Sequence, residues 1–393
     1  MKKIKVILLI NELIRGGAQQ MVLDISNKIN KEEFDVHVVY MKSHENFSDR
    51  KFMLDDVART GVRITCLEGK TRSVLKESYR LWKLLRYEKP DVLHTFMPYV
   101  GIIGRIVGRL TGVKSIVSLQ ANVPLAYTKK VYYADLWTLF LADVWTGAAV
   151  GIEKAYAGDS VPYSSEEWSK DRRHFTVISG ANVDDIGYTI SKTNKQEKRK
   201  ELGIKDGNIV VSMTARLISW KGHDDLINAF ALIKESPAEL VLIGGGPREE
   251  TLRTLVKTLG IENKVHFLGD RSDLLELMAI SDVYVQSYCE GTDGSMWEGP
   301  NTSQMIAAAS KIPAISTDVP LVELFMEDGV NGRIAKHDNP EDLAEKIKYL
   351  IDNREDAKRM AESAYKMIID KYSLSAMVGS YEKIYRKLVN KSR

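Results

Sequence analysis

Two permanent cations, Arg216 and Lys221, stand five residues apart just after the apolar run Ile209–Thr214. The run predicts a buried strand, and the polar residues that follow predict a loop opening a helix. A guanidinium fork together with an ammonium point charge suits the binding of a diphosphate. Ordinary surface cations on an exposed loop are the alternative, and the spacing alone does not decide between the two.

Two glycine clusters also follow predicted strands. Gly16 and Gly17 lie between a strand at residues 5–10 and a helix, where glycines allow an anion to approach the helix N-terminus. Gly245 and Gly246 belong to a Gly-Gly-Gly-Pro turn after a strand at residues 239–243. Neither cluster fits the G-x-G-x-x-G pattern, which argues against binding of NAD. Turns without a ligand are the alternative for both.

Two carboxylates, Glu290 and Glu298, stand eight residues apart in a glycine-rich segment that leads into Gly299, Pro300 and Asn301. Carboxylates accept hydrogen bonds, so they suit the hydroxyl groups of a sugar. Asn301 has a second interpretation as the N-cap of the helix that follows. The segment therefore predicts a sugar-binding loop that ends in a helix cap.

The elements that must position these residues alternate between short apolar strands and amphipathic helices. One series ends near residue 178 and a second begins at Ile209. This alternation predicts an α/β fold of two Rossmann-like doubly wound domains facing a central cleft, with ligands at the carboxyl ends of the strands. We expect a first α/β domain at 1–190, a polar linker at 191–207, a second α/β domain at 208–371 and a final amphipathic helix at 372–393. A solvated helix start is the alternative to a linker over residues 191–200.

Composition narrows the class of protein. The 393 residues include 56 Lys and Arg against 53 Asp and Glu, and this near-balance argues against a dedicated nucleic-acid binder. The only cysteines, Cys66 and Cys289, cannot form a disulfide framework, and the histidines show no ligand spacing, so we expect no metal site. No signal peptide is recognisable, and a cytoplasmic location is the expectation.

The charge is unevenly distributed along the chain. Residues 1–200 hold 32 Lys and Arg against 23 Asp and Glu, whereas residues 201–393 hold 24 against 30. Residues 70–89 carry seven basic and two acidic side chains, and Lys129 and Lys130 precede a cluster of aromatic residues. Basic residues beside aromatic ones can bind an anionic membrane surface. A solvated basic helix and a core helix are the favoured interpretation of these residues. The hypothesis set beside it is that an anionic or lipid-linked partner docks on the first domain.

At this point the chain resembles a known family, the retaining GT-B glycosyltransferases of glycosyltransferase family 4. The resemblance covers nearly the whole chain and depends on the order of several segments rather than on any single one. These segments are GGAQQMVLDIS, DVLHTF, VISGANVD, ARLISWKGHDDLINAF, ELVLIGGGPREETL, VHFLGDRSDLLELMAISDVYV, EGPN, AAASKIPAISTD and ELFMEDGVNGRI.

The resemblance implies a role for each matching residue. Arg216 and Lys221 would bind the donor diphosphate and stabilise it as it leaves, and the turn from Gly269 to Arg271 would lie against the base. The remaining donor contacts would come from Gly16, Gly17, Gly245, Gly246, Gly299, Pro300 and Asn301. The family implies a nucleotide-diphosphate sugar as co-substrate, a glycan or lipid-linked acceptor, no cofactor and no catalytic metal. It also implies that the domain at 1–190 binds the acceptor, that the domain at 208–371 binds the nucleotide sugar, and that the helix at 372–393 returns to the first domain.

The sequence departs from the family's pattern of two glutamates. Counting back from Pro313 assigns Glu298 to the first glutamate and Ile306 to the second, which usually binds the ribose. Counting forward from the preceding strand assigns Glu290 to the first position instead. We expect Glu298 to contact the sugar, with Glu290 a candidate for the missing carboxylate.

Two polar residues end strands of the first domain and are candidates for the acceptor side. Many members of the family carry a histidine where this chain has Gln120, which can form hydrogen bonds but cannot carry a proton. His94 ends a predicted buried strand, where a structural histidine is the favoured interpretation and an acceptor-side role is the alternative.

Two other functions are compatible with the same architecture. One is a catalytically weak nucleotide-sugar-binding protein, which Ile306 and Gln120 favour. The other is a GT-B-fold nucleotide-sugar epimerase, which needs acid–base carboxylates and a histidine that this sequence supplies poorly.

Overall fold

A computed structural model describes residues 3–14, 16–42, 53–68, 73–122, 127–163, 168, 172–289, 301–319 and 322–391. The chain divides into two compact units, the first formed by residues 1–180 with 374–393 and the second by residues 181–373. Each unit is built on one parallel β-sheet. Within the described residues, no helix is both long enough and apolar enough to cross a membrane.

The first unit contains a seven-stranded sheet in the order β3-β2-β1-β4-β5-β6-β7. Its strands are mostly continuous apolar runs, as expected where helices cover both faces of a parallel sheet. The strands are β1 Ile4–Ile10, β2 Phe34–Tyr40, β3 Arg63–Cys66, β4 Val92–Phe96, β5 Ser115–Gln120, β6 Val144–Gly147 and β7 His174–Thr176.

The helices of the first unit connect these strands and cover the sheet. They are α1 Gly17–Lys28, α2 Leu54–Arg59, α3 Val74–Glu88, α4 Pro98–Leu110, α5 Lys129–Leu139, α6 Val150–Ala157 and, from the end of the chain, α15 Leu374–Lys391. Helices α1 and α15 contribute to one apolar core, and α3 and α4 contribute to a separate core with other residues of the sheet. The sheet is therefore covered on both faces.

Helix α15 is fixed to the first unit by polar as well as apolar contacts. Tyr381 lies 3.1 Å from the Thr146 hydroxyl, and Tyr385 hydrogen-bonds to a ring nitrogen of His94 at 2.7 Å. Arg386 donates two hydrogen bonds of 2.7 Å to the carboxylate of Glu33. The end of the chain thus completes the core of the unit in which the chain begins.

The second unit contains a six-stranded parallel sheet in the order β10-β9-β8-β11-β12-β13. Its strands are β8 Ile209–Thr214, β9 Ala238–Ile243, β10 Val265–Phe267, β11 Val283–Gln286, β12 Ala314–Thr317 and β13 Arg333–Ala335. Its helices are α7 Val183–Lys192, α8 Lys195–Glu201, α9 His223–Leu232, α10 Glu249–Thr258, α11 Leu274–Ala279, α12 Thr302–Ala309, α13 Pro340–Asp352 and α14 Arg354–Met367. Strand order reverses between β8 and β11, which places a topological switch point there.

The structure has helices where the sequence predicted a linker at 191–207, which corrects that prediction. Its residues form the end of α7 and all of α8, and the boundary between the units lies at residue 180 rather than 190. Arg199 of α8 donates to the carbonyl of Ile280 and pairs with Asp282 at 2.7 Å. The basic, polar composition predicted a linker because α8 buries no residue, and its attachment depends on these ion pairs instead.

Candidate functional site

The two predicted diphosphate-binding cations lie in the loop after β8, at the carboxyl edge of the second sheet. Arg216 is exposed, and its guanidinium makes no ion pair with the part of the chain that the structure describes. Lys221 ends a short 3₁₀ turn at Ser219–Lys221, directly before helix α9. Lys221 therefore stands beside the positive end of α9, where an anion is favoured, and Arg216 lies five residues earlier in the same loop.

Two aromatic rings hold the ammonium group of Lys221. Its Nζ lies 3.9 Å from the ring centroid of Trp220 and 4.7 Å from that of Tyr288. The two rings are nearly parallel, with centroids 6.0 Å apart and an interplanar angle of 12°. Cation–π attraction thus restricts the ammonium of a side chain that is otherwise flexible. We call Trp220 and Tyr288 the Lys221 clamp. It was not predicted from the sequence, although Trp220 directly precedes Lys221.

The backbone after Lys221 is also fixed, through Gly222 and the residues after β11. Gly222 has φ of +71°, and a Cβ atom there would overlap with the carbonyl of Ser287. The Ser287 hydroxyl donates to the Gly222 carbonyl at 2.7 Å, and the Cys289 amide donates to the Trp220 carbonyl at 3.3 Å. Only glycine fits this position, and it fixes where Lys221 stands.

The glycine-rich turn after β9 packs against the Arg216 loop. A Cβ on Gly244 would overlap with the Ala215 carbonyl, and one on Gly246 would lie 2.6 Å from the Leu217 carbonyl. The Gly245 carbonyl accepts from the Leu217 amide at 3.0 Å. These glycines therefore allow two loops at the same sheet edge to touch.

Arg248 and Asp224 connect the same two loops through an ion pair. The guanidinium of Arg248 donates to both carboxylate oxygens of Asp224, one of them at 2.9 Å. This bidentate pair holds the pKa of Arg248 above its ordinary value. The first residue of α9, His223, is almost fully buried beside them, and desolvation lowers its pKa to about 4. His223 is therefore neutral at pH 7 and is not a third cation of the site.

The turn after β10 carries Gly269 and Arg271, predicted beside a base. Gly269 has φ of +65° and accepts a hydrogen bond from the Gly244 amide at 2.9 Å. Arg271 donates two hydrogen bonds to Asp273, of 2.7 and 2.6 Å, and Lys198 pairs with the same carboxylate. These hydrogen bonds hold the pKa of Asp273 far below its ordinary value. Arg271 thus stabilises the turn, and contact with a base stays a prediction.

Asn301 begins α12 as a helix cap. Its side chain accepts from the Gln304 amide at 2.8 Å, and its own amide group donates to Gln286 and Tyr288 at 2.7 Å each. Glu290, Glu298, Gly299 and Pro300 lie outside the described residues, so their assignments stay predictions. Ile306, at the place of the family's second glutamate, is buried in α12.

In the first unit, Gly16 and Gly17 open helix α1 as predicted. Gly16 is the N-cap, and neither a side-chain cap nor an acidic residue occupies the first turn. Such a helix start keeps its amide groups available to an anion. Donor contact at this position stays a prediction.

The structure confirms the structural interpretation of His94 and corrects its assignment as an acceptor-side candidate. The side chain is fully buried between β4 and α15, with ring centroids 4.2 Å from Phe96 and 4.9 Å from Tyr381. Desolvation lowers the pKa of His94 to about 3. His94 is therefore a neutral core residue that hydrogen-bonds to Tyr385, and no face of it is open to an acceptor.

Gln120 is likewise buried, at the end of β5. Nearby, Arg105 and Asp135 form an ion pair in which both side chains are fully buried. Arg105 also donates to the hydroxyl of Ser118 at 2.7 Å. Contact of Gln120 with an acceptor stays a prediction.

One group of side chains within the described residues has the spacing of metal ligands. Ligand atoms of Asp225, Cys289 and Asp338 lie within 4.8 Å of one another. Burial raises the pKa of Asp225 to about 6 and that of Cys289 to about 11. The Cys289 thiol donates to the Ser219 carbonyl at 3.1 Å.

The fold and the site together define a class: a two-unit α/β protein with a cationic loop at the switch point of its second sheet. Family models identify the class. Glycosyl transferases group 1 matches residues 194–367, and Glycosyltransferase Family 4 matches residues 15–147. The chain belongs to the GT-B glycosyltransferases of this group 1, family 4 type.

Individual relatives agree with this assignment. The chain is 25% identical over 312 residues to UDP-Gal:alpha-D-GlcNAc-diphosphoundecaprenol alpha-1,3-galactosyltransferase of Escherichia coli, covering 77% of this chain and 76% of that protein. It is 25% identical over 329 residues to alpha-monoglucosyldiacylglycerol synthase of Acholeplasma laidlawii, covering 80% and 79%. The crystal structure of Anabaena Alr3699/HepE in complex with UDP has the same fold, with a TM-score of 0.76 and 16% identity over 98% of this chain and 100% of that one.

Proposed function

We propose that this glycosyltransferase moves a sugar from a nucleotide-diphosphate sugar to an acceptor hydroxyl with retention of the anomeric configuration. The observation that carries the proposal is the loop after β8, where Arg216 and the clamped Lys221 stand at the start of α9. In retention, the acceptor hydroxyl attacks from the face that the diphosphate leaves. Stabilising the leaving diphosphate is then a larger part of the protein's task than supplying a nucleophile.

Fixed positive charge is the main catalytic resource in this mechanism. The Arg216 guanidinium and the Lys221 ammonium bind diphosphate oxygens, and their attraction grows as the bond to the sugar breaks. The first-turn amides of α9 add to the same field. Because these charges are part of the protein, we propose that transfer needs no metal ion, and unchanged turnover after removal of divalent cations by a chelator would support this.

The proposed acceptor is a glycan or lipid-linked hydroxyl, in polysaccharide or glycolipid assembly. The names of the two relatives above specify a diphosphoundecaprenol-linked acceptor for one and a diacylglycerol glycolipid for the other. We also propose a cytoplasmic location, peripheral on the inner membrane face. Two free cysteines, Cys66 and Cys289, are compatible with such a reducing compartment.

The first test is donor binding. Thermal unfolding of the full chain is followed with a panel of nucleoside diphosphates and nucleotide sugars, since a ligand that binds the folded state raises the midpoint. We expect one donor to stand out, and the double variant R216A/K221A to lose the shift. K257A, which removes an exposed lysine from α10, is the matched control and should keep it. A full shift in R216A/K221A would contradict the assignment of the diphosphate site.

A catalytically weak nucleotide-sugar-binding protein is the second candidate. The buried Ile306 favours it, because an aliphatic side chain cannot accept the hydrogen bonds of ribose hydroxyls. A donor that raises the unfolding midpoint without any transfer to acceptors would favour this second function.

A further inference from the structure

Exposed apolar side chains are concentrated on three neighbouring helices of the first unit. Sixteen large apolar side chains are exposed among the described residues, and twelve of them lie on α3, α4 and α5 when Phe140, the residue that caps α5, is included. The twelve are Val74, Leu75, Tyr79, Trp82, Tyr87, Tyr99, Ile106, Leu110, Tyr133, Leu136, Trp137 and Phe140. Scattered exposure needs no explanation, but such a concentration marks an interaction surface.

The spacing of these residues gives each helix an outward apolar stripe. In α5, Tyr133, Trp137 and Phe140 recur at helical spacing, and Trp137 and Phe140 are 77% and 71% exposed. In α4, Tyr99, Ile106 and Leu110 form a similar stripe. Helix α4 packs against both α3 and α5, so the three stripes lie next to one another.

Basic side chains flank the stripes, and carboxylates do not. Lys76, Lys83 and Arg86 of α3 and Lys129 and Lys130 of α5 are exposed. The Lys83 ammonium lies 4.8 Å from the ring centroid of Tyr79, and the Arg86 guanidinium lies 5.7 Å from that of Trp82.

The carboxylates of the same helices are buried or paired. Glu77 and Asp135 are buried, and Glu88 pairs with Arg63 at 2.6 Å. Asp143, just after α5, pairs with Arg109 at 2.7 Å. The outer side of the three helices therefore combines positive charge with amphipathic aromatic rings.

We propose that α3, α4 and α5 form a docking face for an anionic phospholipid bilayer. Lys and Arg contact the lipid phosphates, and Trp137, Phe140 and their neighbours enter the boundary between headgroups and acyl chains. Positive charge without exposed carboxylates favours an anionic lipid surface over a second copy of the chain, which would bring the same positive charge to the contact. A role of this face in bringing a lipid-linked acceptor to the enzyme rests on the proposed function, whereas its binding to lipid does not.

Helix α5 is attached to the first unit through its inner side. Residues of its outer side can therefore be replaced without unfolding the unit. Arg105 of α4 pairs with Asp135 and donates to the Thr138 hydroxyl at 2.6 Å, so α5 is held from beneath. Trp137 and Phe140 point away from these contacts, as their exposure shows. Their replacement should leave the thermal unfolding midpoint unchanged.

The test is flotation of the full chain with vesicles of phosphatidylcholine and phosphatidylglycerol in equal amounts, against vesicles of phosphatidylcholine alone. We expect flotation only with the anionic vesicles, declining as salt is raised. W137A/F140A should reduce the bound fraction about tenfold, and K129E/K130E should reduce it and weaken its salt dependence. The matched control is Y188A/L232A, which removes two exposed apolar side chains of the second unit and should bind as the wild type does.

Three results would overturn the proposal. The first is the absence of flotation with anionic vesicles at low salt, and the second is binding by W137A/F140A at the wild-type level. The third is a wild type that self-associates without binding vesicles, together with a W137A/F140A variant that no longer self-associates. K221A separates this proposal from the proposed function, because it should float like the wild type while failing to transfer sugar. Flotation with no donor binding would leave the docking face standing and contradict only the transferase.

Discussion

At the scale of single residues, the clamp around Lys221 explains how a flexible lysine can act as a fixed charge. The Trp220 and Tyr288 rings hold its ammonium, and Tyr288 is itself held by a hydrogen bond from Asn301. Prearranged charge stabilises a leaving group without reorganisation during the reaction. A lysine free to rotate would lose part of that advantage.

We therefore expect W220A to lower kcat about tenfold, since a cation–π contact contributes roughly 0.5–2 kcal/mol. W220F keeps a ring and should lose much less, and KM for the donor should change little in either variant. Steady-state kinetics with the preferred donor measures both. Wild-type turnover in W220A would contradict a positioning role for the ring.

The buried histidine His94 predicts how stability depends on pH. Its pKa falls from 6.5 to about 3 on folding, so between these values the unfolded chain binds a proton that the folded chain does not. Stability contributed by the neutral ring is therefore present above pH 6.5 and is lost as the pH falls toward 3. Between pH 7 and pH 5 the free energy of unfolding should fall by about 2 kcal/mol on account of this residue.

Urea unfolding of the wild type and of H94Q at both pH values tests this expectation. Glutamine retains a hydrogen-bonding group for Tyr385 but does not titrate in this range, so H94Q should show a decline about 2 kcal/mol smaller. Equal declines in the two proteins would show that His94 is not held neutral in the folded core.

At the scale of elements, the loops after β8, β9 and β11 form one connected structure at the edge of the second sheet. Gly222 is the tightest point, with a left-handed backbone pressed against Ser287. G222A should destabilise the protein by roughly 1–3 kcal/mol, through backbone strain and overlap. It should also weaken donor binding, because the backbone next to Lys221 has to move.

Gly260 provides the matched control for this substitution. It also has a positive φ, of +65°, but a Cβ atom there meets no other atom within 4 Å. G260A should lose roughly 1–2 kcal/mol from the left-handed backbone alone, and it should bind donor like the wild type. Calorimetric unfolding and donor titration compare the two variants, and equal donor affinity in G222A and the wild type would contradict the proposed coupling.

Most elements and the parallel, doubly wound character of both sheets could be predicted, because apolar strands and amphipathic helices follow simple periodicities. Helix α8 could be predicted only as the alternative to a linker, since its sequence has no apolar face and its position depends on ion pairs with distant residues such as Asp282. The clamp of Trp220 and Tyr288 joins residues 68 positions apart, which only the folded loops bring together. The predicted strand ends at His94, but β4 continues to Phe96, and only the packing of α15 shows that His94 is buried.

At the scale of the whole molecule, each unit has a distinct character. The second unit presents fixed cations at the switch point of its sheet, although residues 201–393 carry more acidic than basic side chains. The first unit belongs to the basic half of the chain and exposes the aromatic surface of α3, α4 and α5. We propose sugar transfer to an acceptor presented at a membrane, because this function accounts for the family membership, the cationic loop and the aromatic, basic surface together.

Transfer itself tests the central claim most directly. The wild type, R216A/K221A and K257A are incubated with the donor selected by thermal unfolding and with a lipid-linked glycan acceptor, and both the released nucleoside diphosphate and the glycosylated product are quantified. We predict that the wild type and K257A form the two products in equal amounts, and that an α-linked donor gives an α-linked sugar. In R216A/K221A the rate of transfer should fall by at least about a hundredfold. Full transfer by R216A/K221A, or a product of inverted configuration, would contradict the central claim.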